Sequence, residues 1–177
     1  DKERKIVEIG TPVGVIAGLI PSTNPTSTAI YKALISLKSG NAIVFSPHPS
    51  AIGCISKTVE ILNRAAVANG APDGLISCME HPTIEGTNEL MKHKDVALIL
   101  ATGGSAMVKA AYSSGTPALG VGPGNVPAYI ERSADIKLAV KRIFASKTFD
   151  NGTICASEQS IVTEKIIEDK VKDEIER

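Results

Sequence analysis

The sequence predicts an α/β fold in which an open parallel sheet carries helices on both faces. Short apolar segments alternate with longer segments of helical periodicity along the whole chain of 177 residues. The apolar segments are almost continuous, which is typical of strands that are buried on both faces. Strands that alternate with helices favour parallel pairing through helical crossovers. No internal repeat and no low-complexity linker interrupts this pattern.

The first elements show the signals on which this prediction depends. VGVIAGLI, residues 13–20, is an apolar run long enough for a buried strand. In the next segment Ile30, Leu34 and Leu37 recur with helical spacing, and Gly40 ends the helix. The complete predicted order is strand 13–20, helix 26–40, strand 42–46, helix 49–69, strand 75–79, helix 83–93, strand 96–101, helix 104–114, strands 117–121 and 127–131, helix 135–147, strand 158–163 and a charged helix from Thr163 to the end.

Composition excludes several classes of function. The 19 basic and 19 acidic side chains cancel, so the chain has no net charge that would attract nucleic acid or anionic lipid. Aromatic residues make up only 3% of the chain, which argues against base-stacking platforms. No apolar run is long enough to span a bilayer. Three widely spaced cysteines predict neither a disulfide framework nor a metal site. We therefore expect a soluble, cytoplasmic setting.

Ligands of open parallel sheets bind beyond the carboxyl ends of the strands, and two early loops carry polar residues there. In PSTNPTST, residues 21–28, Asn24 either offers an amide donor or caps the following helix. In SPHPS, residues 46–50, two prolines hold His48 in an extended loop. A single loop histidine is more often a surface residue than a catalyst, so His48 is a candidate only for a pocket wall.

Two later loops are rich in glycine. ATGGSAMVK, residues 101–109, joins a strand to a helix, so its free N–H groups predict an anion site. The alternative is a tight turn that uses glycine only for its backbone freedom. GVGPGN, residues 120–125, matches a dinucleotide fingerprint at Gly120 and Gly122, but Asn125 replaces the third glycine. Alone, it predicts a flexible turn.

The three cysteines fall into two groups. Cys54 lies in a predicted helix and Cys78 at the end of a strand, and both are interpreted as buried apolar residues. Cys155 follows the loop DNG, residues 150–152, and precedes a strand. A loop cysteine is exposed enough to react, so the residues alone leave open whether Cys155 is a nucleophile or a filler.

Taken together, these loops resemble the aldehyde dehydrogenase family, and above all its coenzyme A-acylating branch. The matching stretches are GVIAGLIPSTNPTSTAIYKALISLKSGNAIVFSPHPSA, LILATGGSAMVKAAYSSGTPALGVGPGN and SKTFDNGTICASEQSIV. That branch includes the N-terminal half of bifunctional aldehyde–alcohol dehydrogenases and single-function enzymes of bacterial microcompartments. The resemblance implies a Rossmann-like NAD(P)-binding domain over residues 1–148. It also implies that residues 149–177 start the catalytic domain and carry the nucleophile loop.

The resemblance also assigns site residues. It implies that Cys155 is the nucleophile and that the Asn24 amide helps to form the oxyanion hole. The residues assigned to the cofactor site are Ser46, Pro47, His48, Thr102, Gly103, Gly104 and Gly122. The turn at 102–104 is expected to meet the cofactor pyrophosphate, and the loop at 46–47 is expected to follow the adenosine ribose.

Two positions differ from the water-using relatives in the family. Those enzymes usually have a lysine where Ser46 stands, so both NAD and NADP remain candidates. They also have a glutamate, which activates water, at the position of Gly120. Without a general base for water, the thioester should persist until a thiol removes the acyl group.

The implied activity is oxidation of a short-chain aldehyde with coenzyme A and NAD to acyl-CoA and NADH, through a thioester on Cys155. A homo-oligomer and a bacterial cytoplasmic or microcompartment location are expected with it. Two alternatives remain open from the sequence. One is a truncated, catalytically silent dinucleotide-binding module, and the other is a non-acylating aldehyde dehydrogenase, which Gly120 disfavours.

Overall fold

A computed structural model describes residues 3–177 and confirms the predicted alternation of strands and helices. The described residues divide into two compact units, one ending at Gly122 and the other comprising Pro123–Arg177. The elements of the first unit are β1 (Val15–Ile20), α1 (Pro25–Lys38), β2 (Ala42–Pro47), α2 (Ile52–Ala68), β3 (Ile76–Cys78), α3 (Ile84–Lys92), β4 (Val96–Thr102), α4 (Ser105–Tyr112) and β5 (Ala118–Val121).

The strands of the first unit form one parallel sheet in the order β3-β2-β1-β4-β5. Chain order reverses between β1 and β4, because β2 and β3 lie on one side of β1 while β4 and β5 lie on the other. In such sheets this reversal opens a crevice at the carboxyl ends of the strands, where ligands bind. The last paired residues of β1 and β4 are Leu19 and Ala101.

Two apolar layers cover the two faces of this sheet. On one face Ile43, Phe45 and Leu100 pack with residues of α1 and α2 such as Ala33 and Ile55. The opposite face is built around Leu19, Ile99 and Ala101 with side chains from α3 and α4. Strands in the middle of the sheet are therefore covered on both sides, which explains their continuous apolar sequences.

Helix α1 forms where predicted, but a different face is buried. Ile30 and Leu34, which carry the apolar periodicity, are 40% and 56% exposed. The buried side chains of α1 are mostly small: Thr28, Ala29, Lys32, Ala33 and Ser36. Small side chains let the helix axis approach the sheet closely. Hydrophobic periodicity locates the helix but not its buried face, because it does not account for residue size.

The second unit contains a β-α-β arrangement and a final helix. Its elements are β6 (Val126–Ile130), α5 (Ile136–Thr148), β7 (Glu158–Thr163) and α6 (Glu168–Ile175). β6 and β7 pair in parallel, and the Asp135 side chain accepts a hydrogen bond from Leu138 N–H, which caps α5. Ile130, Val140, Ile167 and Val171 form the small core of this unit. The final helix begins at Glu168, later than predicted, because a 3-10 turn occupies Lys165–Ile167.

Cys54 was expected to be buried, and this is wrong, because Cys54 is exposed on α2 and Cys78 is half-buried. Cys54 lies in the first turn of α2, on a side of the helix that does not face the sheet. The predicted functional domains, residues 1–148 and 149–177, divide at a different point from the two compact units and stay a prediction. No helix of the described residues is long and apolar enough to cross a membrane.

Candidate active site

The carboxyl ends of β1, β2 and β4 bring most of the predicted site residues to one edge of the first unit. Asn24 follows β1, His48 follows β2, and the turn 102–104 follows β4. This placement follows directly from the parallel pairing of the three strands, because parallel strands end at the same edge. Cys155 belongs to the second unit.

Asn24 occupies the N-cap position of α1, but its side chain does not cap the helix. The Asn24 carbonyl accepts hydrogen bonds from Thr28 N–H at 3.2 Å and from the Thr28 hydroxyl at 2.7 Å, which fixes the backbone. The side-chain Oδ1 accepts a hydrogen bond from the Thr23 hydroxyl at 3.1 Å. Asn24 is exposed, and within residues 3–177 no group accepts a hydrogen bond from its side-chain N–H donors. The amide is therefore free to donate to a ligand.

Ser46 lies in β2 with only 5% of its surface exposed. Its hydroxyl lies 2.7 Å from the Thr87 hydroxyl, and the Thr87 hydroxyl donates to Thr83 O at 2.8 Å. Because Thr87 has a single hydroxyl hydrogen, Ser46 must be the donor between the two. Ser46 therefore keeps only an acceptor lone pair for any ribose hydroxyl.

Pro47 and His48 end β2 in different environments. Pro47 is buried and paired in register with Ile20. His48 is exposed, its Nδ1 accepts a hydrogen bond from Ser50 N–H at 3.2 Å, and the Ser50 hydroxyl lies 2.7 Å from the same nitrogen. The histidine thus caps the short 3-10 turn Pro49–Ala51. Its proposed role in a pocket wall stays a prediction.

The turn between β4 and α4 leaves the N-terminus of a helix open to a ligand. Gly104 is the N-cap of α4, and the first intrahelical bond runs from Val108 N–H to Gly104 O at 3.1 Å. The preceding N–H groups of the helix have no intrahelical partner and carry the positive end of its dipole. A Cβ on Gly104 would meet nothing within 4 Å, so the space beside it is open to a ligand. Gly103 N–H, by contrast, donates a hydrogen bond to Val121 O at 3.1 Å and is not free to bind a ligand.

Gly120 lies in β5 against α4, where a larger residue would displace neighbouring side chains. A Cβ at this position would lie 2.6 Å from Val108 Cγ1 and 2.9 Å from Tyr112 Cε2. Gly120 N–H donates a hydrogen bond to the Tyr112 hydroxyl at 3.0 Å. At Gly122 an added Cβ would meet its nearest neighbour, Val108, at 3.8 Å, which is ordinary contact. An acidic side chain at position 120 would therefore require Val108 and Tyr112 to shift.

The loop before Cys155 has an unusual backbone. Asp150, Asn151 and Gly152 have φ values of 49°, 53° and 70°, so three successive residues are left-handed. Asx residues and glycine tolerate this region best. The Thr153 hydroxyl lies 2.8 Å from Asp150 O and 2.7 Å from Asp150 Oδ2, and these contacts hold the bend. Local hydrogen bonds therefore hold the backbone of the loop that precedes Cys155.

Cys155 lies at the first central position of a turn that Ser157 N–H closes onto Ile154 O at 3.0 Å. Its side chain is exposed, which is required of a nucleophile and not of an apolar filler. The backbone of Gly124 approaches closely, since a Cβ there would lie 3.2 Å from Cys155 O. Gly124 thus allows the second unit to pack its own N-terminal residues against the cysteine turn.

Two residues of the site edge were not predicted from the sequence. Lys32 is buried under the crevice, and Tyr112 covers position 120. For Lys32 a signal exists, since it shares a helix face with the small residues Ala29 and Ala33, where a long charged side chain is unexpected. For Tyr112 no local signal exists, because its contact with β5 depends on tertiary packing.

Comparison with known proteins gives a consistent result. The sequence profile of the aldehyde dehydrogenase family matches residues 1–177. The chain is 56% identical over 167 residues to the bifunctional aldehyde-alcohol dehydrogenase AdhE of Escherichia coli K12, covering 94% of this chain and 19% of that protein.

Solved structures of aldehyde dehydrogenases are also similar to this chain. A probable aldehyde dehydrogenase from Listeria monocytogenes is 67% identical, with a TM-score of 0.87 over 99% of this chain and 39% of that one. A propionaldehyde dehydrogenase from Rhodopseudomonas palustris, solved with bound CoA and an acylated cysteine, is 38% identical, with a TM-score of 0.83 over 94% of this chain and 38% of that one. The chain thus spans about a fifth to two fifths of the length of these relatives.

Proposed function

Because this chain belongs to the aldehyde dehydrogenase family, we propose that the full-length protein is a coenzyme A-acylating aldehyde dehydrogenase. It converts a short-chain aldehyde, CoA and NAD to acyl-CoA and NADH, and the reaction is reversible. Similarity to a propionaldehyde dehydrogenase that carries CoA and an acylated cysteine supports this choice of reaction.

The observation that carries the proposal is the packing around Gly120. Hydrolysis of a thioester requires a general base that removes a proton from water. Val108 and Tyr112 fill the space into which a side chain at position 120 would extend. The Tyr112 hydroxyl also accepts a hydrogen bond from the backbone N–H of Gly120. This edge of the sheet therefore offers no carboxylate at position 120, and a second thiol is the acyl acceptor.

Cys155 supplies the nucleophile in this mechanism. Its sulfur bonds to the aldehyde carbon and gives a hemithioacetal, whose collapse to the thioester releases a hydride. NAD, when bound, supplies the two-electron acceptor. The CoA sulfur then bonds to the acyl carbon, the bond to Cys155 breaks, and the cysteine returns as a thiolate. The exposed turn that holds Cys155 gives both substrates access to the sulfur.

Asn24 stabilises the oxyanion that forms when the sulfur attacks the carbonyl. Its backbone is held by Thr28, while its side-chain N–H donors have no partner among the described residues. A donor that is fixed before the reaction loses little free energy in reorganising. Removal of one such donor typically costs about 3–4 kcal/mol of transition-state stabilisation.

The cofactor site is assigned to the carboxyl edge of the first unit. The N-terminus of α4, with Thr102, Gly103 and Gly104, receives the pyrophosphate, and Gly122 borders the turn. Ser46, Pro47 and His48 lie along the adenosine ribose. Ser46 has an acceptor but no free donor, which suits the 2′-hydroxyl of NAD better than the anionic phosphate of NADP.

The remaining parts of the proposal concern the whole protein. Residues 1–148 serve the NAD(P)-binding domain, and residues 149–177 begin the catalytic domain. The full-length protein forms a homo-oligomer in the bacterial cytoplasm, free or inside a microcompartment. Neither nucleic acid nor membrane is a partner.

The test is NADH formation by the full-length protein from acetaldehyde or propionaldehyde, followed by absorbance. We expect turnover that depends strictly on added CoA. The variant Cys155→Ser should lose activity by more than about a thousandfold, because a serine hydroxyl is not ionised at neutral pH. Cys54→Ser is the matched control, since Cys54 is also exposed but lies on α2, and it should retain full activity.

Equal turnover with water as the acceptor would reject the acylating assignment. Full activity of Cys155→Ser would reject the nucleophile. An NAD titration of the 177-residue chain, run beside the turnover assay, separates cofactor binding from catalysis.

A further inference from the structure

Lys32 is a buried cation that the proposed reaction does not use. Its side chain, on α1, is 3% exposed. Its Nζ donates hydrogen bonds to Leu19 O and to Leu100 O, both at 2.7 Å. These carbonyls belong to β1 and β4, two strands without any charged residue. In the described part of the chain Lys32 forms no ion pair.

Packing alone does not call for a lysine at this position. Transfer of an ammonium group into an apolar interior is unfavourable unless its N–H groups are paired. Burial accordingly lowers the pKa of Lys32 to about 7. Leu or Met would fill a similar volume at no such cost. The two charge-assisted hydrogen bonds are therefore the feature that distinguishes Lys32 from an apolar residue.

The location of these two bonds connects Lys32 with the site. β1 and β4 flank the point where chain order reverses in the sheet. Their register ends at the pair Leu19 and Ala101, beyond which the two strands are no longer paired. Lys32 donates to Leu19 O in this last pair and to Leu100 O, whose residue pairs with Gly18 one position earlier. Five residues beyond Leu19 lies Asn24, and two residues beyond Leu100 lies Thr102.

We propose that Lys32 is a positioning residue that ties the carboxyl ends of β1 and β4 together and so fixes the Asn24 loop relative to the turn 102–104. The inference rests on the proposed function, because it assigns these two segments to the oxyanion and the pyrophosphate. Without the tether the ends of the two strands separate, and the crevice between them loses its fixed width. Dinucleotide affinity then falls although the core remains intact.

Protonation of Lys32 adjusts the strength of this tether. An ammonium group donates stronger hydrogen bonds to carbonyls than a neutral amine does. The other titratable side chains of α1 and of the neighbouring α2 are all exposed: Tyr31, Lys38, Cys54, Lys57, Glu60 and Arg64. His48, at the same edge of the sheet, is also exposed. A comparison of Lys32 variants with the unsubstituted protein separates Lys32 from these groups.

The experiment measures the NAD dissociation constant of the full-length protein and of Lys32→Met by calorimetric titration. Lys38→Met is the matched control, because it makes the same change at an exposed position of the same helix. We expect Lys32→Met to bind NAD about tenfold more weakly, with a melting temperature no lower than that of the unsubstituted protein. Lys38→Met should bind normally.

The pH profile is the measurement that a purely structural role would not change. From about pH 6 to about pH 8.5, the NAD dissociation constant of the unsubstituted protein should rise about threefold or more. Lys38→Met should follow the same profile, and Lys32→Met should not show the Lys32-dependent rise.

Normal NAD affinity of Lys32→Met, or an unchanged pH profile in that variant, would overturn the positioning role. If Lys32→Met does not fold, a pH-independent dissociation constant in the unsubstituted protein would overturn it equally. Absence of NAD binding by the unsubstituted protein would overturn the proposed function and this inference together.

Discussion

At the scale of single residues, the choice of acyl acceptor depends on a position that has no side chain. Gly120 has an ordinary strand backbone, so its importance lies in space and not in conformation. Val108 and Tyr112 occupy the volume that any Cβ would need. A glutamate at position 120 would therefore have to displace both side chains, so we expect that Gly120→Glu alone does not reproduce the glutamate of the water-using relatives.

The first prediction at this scale concerns Gly120→Glu. Overpacking of a filled site typically costs about 1–3 kcal/mol, and we expect a loss of this size in the free energy of unfolding, measured by urea denaturation. The variant should also show no CoA-independent aldehyde oxidation, because the carboxylate is displaced from the position it would need.

Gly104→Ala is the control for stability, since a Cβ there meets nothing within 4 Å and φ is −65°. It should unfold at the same urea concentration as the unsubstituted protein. A Gly120→Glu variant of normal stability that oxidises aldehydes without CoA would contradict the account of position 120.

At the scale of secondary structure elements, close packing of α1 and β2 against β1 depends on small residues. Gly18 lies in the middle of β1, where the ring of Phe45 occupies the space above it. Phe45 is completely buried in the same cluster as Ala29 and Ala33 of α1. Interiors packed at this density have no room for an additional methyl group.

Gly18→Ala tests this packing. Its Cβ would lie 2.7 Å from Phe45 Cδ1, and the enclosed ring cannot move away. We expect a loss of about 1–3 kcal/mol in the free energy of unfolding, measured by chemical denaturation. Gly53→Ala is the matched control at an exposed position of α2, where a Cβ meets nothing and alanine favours helix.

The control should gain up to about 1 kcal/mol, because alanine has a higher helix propensity than glycine. A Gly18→Ala protein as stable as the unsubstituted protein would show that β1 and β2 tolerate a wider spacing than the structure has.

At the scale of the whole molecule, the buried amine of Lys32 makes stability depend on pH. Burial lowers its pKa in the folded state to about 7, whereas the pKa of an unperturbed lysine is 10.5. Below pH 7 the amine is protonated in both states, so the cost of burying the charge is fully present. Between these two values the unfolded chain binds more protons, so the stability of the folded state rises with pH in this window. Above the higher value the dependence ends.

We therefore expect the difference in unfolding free energy between the unsubstituted protein and Lys32→Met to change with pH. It should shift in favour of the unsubstituted protein by a few kcal/mol as pH rises from about 7 towards about 10. Urea denaturation at a series of pH values measures it, with Lys38→Met as the control. A difference that is constant over this range would contradict the lowered pKa of Lys32.

Much of the fold could be predicted, because strand and helix signals are local. The dense apolar runs and their Gly and Pro boundaries place β1, β2 and β4 within one or two residues of their observed limits. The 3-10 turns at Pro49–Ala51 and Lys165–Ile167 were missed, since a 3-10 turn and the first turn of an α-helix share the same N-terminal signals. The buried face of α1 was also missed, because it depends on which residues the sheet can accommodate.

Some features of the candidate site could likewise be predicted from the sequence, and others could not. The exposed amide of Asn24 and the exposed thiol of Cys155 agree with roles that the motifs and the family resemblance predicted. The left-handed run at 150–152 could be expected only as a loop, because Asp, Asn and Gly permit that conformation without requiring it.

The sequence by itself determined the order of elements, the family and the identity of the candidate nucleophile and oxyanion donor, because each depends on residues that are close together or on motifs of fixed spacing. Only the tertiary structure decided that Tyr112 fills position 120 and that Lys32 joins β1 to β4. The Lys32 contact with Leu100 spans 68 residues of sequence. Such contacts depend on how strands pair and helices pack, and no local pattern encodes them.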